Sequence, residues 1–119
     1  MLKFRFITFL DHPNNLSGKV EIIEVDYIQW ACDCANWIQV KDEKNCSNGI
    51  DENKCFFIEA ENSSLKEVEN SFVFAVHSNK LRLTGQFYTD KGIASDYDSE
   101  NEKPDPARVF RYSKIEIIK

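Results

Sequence analysis

Cys32 and Cys34 lie two positions apart, with Asp33 between them and Trp30 and Trp37 on either side. Cys46 and Cys55 follow, and the chain has 4 cysteines in all. Three chemistries suit such a set. Disulfides or buried thiols come first, because an even count in a small chain fits a bridge framework in an oxidising compartment. A Cys32–Cys34 bridge is poor, since neighbours this close along a strand sit near the upper limit of bridging distance. Cys32 or Cys34 with Cys55, or a local Cys46–Cys55 bridge, remain, each worth roughly 2–3 kcal/mol by loop closure. Zinc comes second. Four thiolates can hold it tetrahedrally, but structural sites favour cysteine pairs separated by roughly two to four residues. Here the pairs are unevenly spaced along the chain. A redox dithiol comes last, because Cys-Asp-Cys is not Cys-x-x-Cys and Asp33 opposes thiolate formation.

A second group is acidic. Asp96, Asp98 and Glu100 alternate as the opening of an EF-hand loop does. The glycine such a loop needs is replaced by Asn101, and its closing bidentate glutamate by Ala107, so an EF-hand is rejected. A loose cation site or a solvated loop remains. Trp30, Trp37, Phe87, Tyr88, Phe110 and Tyr112 could stack on bases or sugars, although packing in a core is the plainer use of such rings. His12 and His77 fall in expected turns, and no serine has a Gly-x-Ser-x-Gly context. No catalytic residue, cofactor or metal ligand set is assigned. The tripeptides beginning at Asn15, Asn45 and Asn62 match the glycosylation pattern by chance in a chain rich in Asn and Ser.

These residues need a scaffold. At 119 residues, with 42% apolar and 29% charged side chains, the chain has the size and balance of one globular domain. Residues 1–18 form an extra strand or an arm, and 19–119 the main body. Nine Phe and four Tyr against four Gly and three Pro favour a β-rich core. The net charge of -5 disfavours nucleic acid as a partner. No segment approaches the ~20 apolar residues of a membrane span. The opening residues lack the cleavage pattern of an export signal. The location is extracytoplasmic if the cysteines are oxidised.

Lys19 to Trp30 reads as a long strand whose alternation slips at Ile22-Ile23, which predicts a β-bulge there. Trp37 to Val40 is a second strand, and Cys55 to Ala60 a third, expected as its hairpin partner. Ser64 and Glu67 form a capping box for a helix of one or two turns, with Leu65, Val68 and Phe72 on one face. Phe72 to Val76 is expected as a strand. Leu81 to Tyr88 alternates cleanly, with Leu81, Leu83, Gly85 and Phe87 on one face. Arg108 to Ile118 is the last strand. Thr89 to Pro106 is a long connection for a compact domain, and a loop of this length is either functional or mobile.

This order predicts a mainly β fold, a small antiparallel, partly open barrel of five to six strands with one short helix. It resembles an OB-fold over residues 19–118. The segments Trp30 to Trp37, Leu83 to Gly92 and Lys103 to Tyr112 also resemble small bacterial proteins, often exported, whose group has no assigned activity. The OB resemblance implies that the loop between the first two strands and the loop between the last two flank a ligand face. Those would be 31–36 and 89–106. The expected function is a non-enzymatic binding or accessory module for a small molecule or protein, with Trp37, Tyr97, Asp96 and Asp98 as contacts. A zinc protein using Cys32, Cys34, Cys46 and Cys55 is the alternative.

Overall fold

A computed structural model describes residues 11–28, 35–44, 49, 51–74, 80–97 and 104–118. Five strands carry it: β1 (Glu21–Tyr27), β2 (Trp37–Gln39), β3 (Phe57–Ala60), β4 (Lys80–Phe87) and β5 (Val109–Ile118). A single-turn helix α1 (Val40–Glu43) follows β2, and the longer α2 (Ser63–Phe74) joins β3 to β4. The strands form one sheet in the order β2-β1-β4-β5-β3. A bridge between Trp37 and Phe56 joins the two ends of that sheet. Its two hydrogen bonds are 3.1 and 2.8 Å long. The result is the mainly β, partly open barrel expected from the strand pattern. Among the described residues no helix is long and apolar enough to cross a membrane.

β4 shows why the sheet folds as it does. Its burial alternates residue by residue, with Leu81, Leu83, Gly85 and Phe87 buried. Period-two burial is what a strand with one face on a core must show. Leu81 and Leu83 are fully buried beside Val25, Phe110 and Tyr112. Gly85 is required by close approach: a Cβ there would lie 2.0 Å from the carbonyl oxygen of Arg111. The β4–β5 ladder shifts register between Thr84 and Gly85, and an extra residue of this kind lets a strand bend.

Five local expectations change. The β1–β4 register runs unbroken from Glu21–Gly85 to Val25–Leu81, so no bulge lies at Ile22-Ile23. The slip in alternation arises because Ile22 faces outward, 68% exposed, while Ile23 and Val25 face the core. β3 is not a hairpin partner of β2; it pairs with β5, and the pairing is parallel. The sheet is therefore mixed. Phe72 begins no strand, because α2 runs through it to Phe74. The cap of α2 is Asn62, whose Oδ1 accepts the Leu65 N–H at 3.1 Å, in place of Ser64. Val68 is exposed, and the buried stripe is Leu65, Glu69 and Phe72. Their spacing of four and then three is helical, and Phe72 seals the barrel end against Trp37, 6.1 Å away.

Candidate functional site

β3 is buried on both sides. Ile58 points into the barrel among the core rings, while Phe57 joins a second apolar cluster with Tyr88, Ile93, Ala94 and Val109. The connection after β4 covers this outer face. Glu59 lies one residue on from Ile58 and is fully buried. A buried carboxylate is tolerated only where donors replace its water. Four do. Oε1 accepts from the Ser95 N–H at 2.9 Å and from His12 Nε2 at 2.5 Å. Oε2 accepts from the Tyr88 hydroxyl at 2.6 Å and from Arg111 Nη1 at 3.0 Å. Burial pushes the Glu59 carboxyl up, but the Ser95 N–H, Tyr88 and His12 together outweigh it and bring it down to about 2. Burial and the adjacent carboxylate push the Tyr88 phenol up to about 12.

This carboxylate is a tie-point for distant pieces of chain. It fastens residues 11–17 across the connection. Ile93 N–H donates to Asp11 at 3.0 Å, and Thr89 N–H to Asn15 at 2.7 Å. Asp90 accepts the Asn14 N–H at 3.0 Å. Leu16 bridges to Tyr88, so the chain before β1 continues along β4. Gly92 allows the crossing, since a Cβ there would meet Pro13 Cδ at 2.5 Å.

A second polar group lies one step along. Glu69 is buried, accepting from the Tyr112 hydroxyl at 2.7 Å and from Lys66 Nζ at 3.0 Å. Asp96 Oδ2 accepts the Ala60 N–H at 3.0 Å. Its Oδ1 is buried with no hydrogen-bond partner and lies 3.7 Å from Lys66 Nζ. Burial raises both carboxyls, with Lys66 opposing. The Tyr112 phenol is raised as well, by burial and by Glu69. The two groups together hold the 93–97 stretch on β3 at two consecutive residues, Glu59 through Ser95 and Ala60 through Asp96. The chemistry is anchoring: an ionised carboxylate saturated with donors, and phenols kept protonated at neutral pH.

The residues expected at a ligand face are distributed between two clusters. Trp37 is 3% exposed and packs inside the barrel, 5.2 Å from Tyr27. Tyr97 is partly exposed and lies edge-on to Phe57 at 5.1 Å. Asp96 is tied to Ala60 as described. Asp98 lies outside the described residues, as do Cys32, Cys34 and Cys46. Cys55 is buried, its Sγ 3.9 Å from the Asp51 carbonyl oxygen. Among the described residues no group of three or more His, Cys, Asp or Glu is placed to hold a metal ion. Ala35 and Tyr97 each pack against the second apolar cluster, as does Ala107.

Glu59, His12, Arg111 and Glu69 escape a reading of the sequence. Glu59 leaves one trace, as the only charge in Cys55-Phe-Phe-Ile-Glu-Ala60. A near-continuous apolar run marks a strand covered on both faces, so a lone carboxylate within it must find partners. No family model matches the chain, no curated protein matches its sequence, and no solved structure matches its fold.

Proposed function

We propose that this chain is a non-enzymatic binding or accessory module whose ligand face lies where segment 31–36 meets the 89–106 connection. The observation that carries the reading is the shared cluster: Ala35 from one segment and Tyr97 from the other, with Ala107 just beyond it, against Phe57 and Val109. The strand order, with its parallel β3–β5 pair, supports the OB resemblance. In OB-folds these two loops flank the ligand face. Glu59 and Asp96 add a physical reason. They fix the 93–97 backbone in advance, and a face fixed before binding loses less entropy on binding. The ligand class is a small molecule or an extended protein segment, met by the partly exposed Tyr97 ring.

Backbone-amide NMR with a panel of short peptides and neutral oligosaccharides tests this. A binding probe should shift Ala35, Asn36, Tyr97 and Ala107 together, with one common affinity. Tyr97→Ala should weaken that affinity about tenfold, the loss of one ring contact. Shifts centred on another surface, or an affinity unmoved in the Tyr97→Ala chain, would remove the proposal.

A further inference from the structure

The pairing of β1 is uneven along its length. β2 covers only Val25, Asp26 and Tyr27. β4 covers Glu21 to Val25 on the other side. The first half of β1 therefore has one strand partner and, among the described residues, no strand on its second side. The direction of its backbone groups follows from the ladder. Ile28 N–H donates to Asn36 at 2.8 Å toward β2. Hydrogen-bonding direction alternates along an antiparallel strand, so Ile22 and Val20 also turn their N–H and C=O groups to that side. Their side chains are bare as well: Val20 is 65% exposed and Ile22 68%.

Natural sheets protect such edges with charges, prolines or bulges. Here two exposed β-branched residues alternate beside backbone that no described strand pairs, which is the pattern that recruits another strand. We propose that the partner is a second copy of this chain, paired antiparallel through β1 across a two-fold axis centred on Glu21. The sequence is self-complementary in that register. Val20 faces Ile22 of the second copy, and Ile22 faces its Val20, giving one apolar patch of four side chains. Both residues present their backbone bonding groups in this register, as the ladder requires. The two Glu21 carboxylates meet near the axis, and Lys19 of each chain lies diagonally across from the other's Glu21. Lys19 is exposed and Glu21 partly so, and each lysine offsets the carboxylate repulsion. The remaining outer charges are already paired within one chain, Arg82 with Glu24 at 3.1 Å and Lys80 with Asp26 at 2.6 Å. They add no net repulsion.

The contact is small beside the ~1,200–2,000 Å² of a standard interface, so the dimer is weak, with Kd on the order of 10⁻⁴ M. Sedimentation equilibrium of the full chain from low micromolar to millimolar concentration tests it, with circular dichroism as the check on folding. The wild type should pass from monomer to dimer. Ile22→Lys, at an exposed position, should keep the fold and weaken dimerisation at least about tenfold. Glu21→Lys should also weaken it, by gathering four lysines at the axis. Adding Lys19→Glu to that variant should restore association, because the diagonal pairs return with reversed sign. A wild type monomeric at millimolar concentration would overturn the proposal and leave the edge to a different strand. A dimer unaffected by Ile22→Lys, or a double variant no better than Glu21→Lys, would overturn it too.

Discussion

Replacing Glu59 by Gln changes one atom and one charge at the tie-point of the outer face. The carboxylate is fully buried and accepts four hydrogen bonds, two at each oxygen. An amide can present only one oxygen. Its NH2 group must then point at two donors, either Ser95 N–H with His12 or Tyr88 with Arg111. The cost can be worked from titration. A carboxyl that moves from its ordinary 4.5 down to about 2 on folding contributes about 3 kcal/mol at neutral pH. That contribution is complete above pH 4.5, where the unfolded chain is ionised too, and it falls as pH drops toward 2. More than half of it is gone by about pH 3. Glu69 and Asp96 act with the opposite sign, since raised carboxyls favour the folded state as they protonate. The difference between wild type and variant largely cancels their effect. Urea unfolding of both chains at pH 7 and pH 3 is the assay. Glu59→Gln should be less stable by about 3 kcal/mol at pH 7, with the gap clearly narrower at pH 3. A gap under about 1 kcal/mol at pH 7, or one unchanged at pH 3, would refute the assignment of Glu59 as an ionised anchor.

Three further outcomes follow from the same packing. Gly85→Ala sets a methyl group 2.0 Å from the Arg111 carbonyl oxygen, a backbone atom that cannot swing away. Thermal unfolding should show a loss of about 3 kcal/mol or more, and a loss below about 1 would show that the β4–β5 ladder is looser than described. Tyr112→Phe removes the hydroxyl that Glu69 accepts at 2.7 Å inside the barrel end, and should cost about 1–2 kcal/mol in urea unfolding at pH 7. Glu69→Gln should cost less than Tyr112→Phe, because burial already penalises that carboxylate's charge. The reverse order would show the Glu69 charge to be stabilising.

The architecture was legible where local pattern and tertiary burial agree. Leu81 to Phe87 alternates in type and in burial alike. The long connection after β4 is legible too, as a polar stretch between two apolar strands. Legibility failed where a partner from far along the chain reversed a local preference. Phe72 lies in a Phe- and Val-rich run that favours strand, yet its burial against Trp37 and the Asn62 cap hold it in α2. Glu69 interrupts the apolar stripe of that helix, and it is accommodated by Lys66 on the same helix together with Tyr112 from distant β5. Glu59 is the extreme case, with donors at positions 12, 88, 95 and 111. No window of neighbouring residues contains that information.

The seam between Trp37 and Phe56 has a mechanical meaning. Opposite it, β4 and β5 are laced from Lys80–Ile118 to Phe87–Phe110, whereas among the described residues the seam is a single stitch. A rolled ribbon fastened so lightly along one join yields like a sprung clip, parting there before its spine bends. Expansion of the cylinder is thus confined to one generatrix, and the β4–β5 wall can keep its shape while the edge beside β3 gapes.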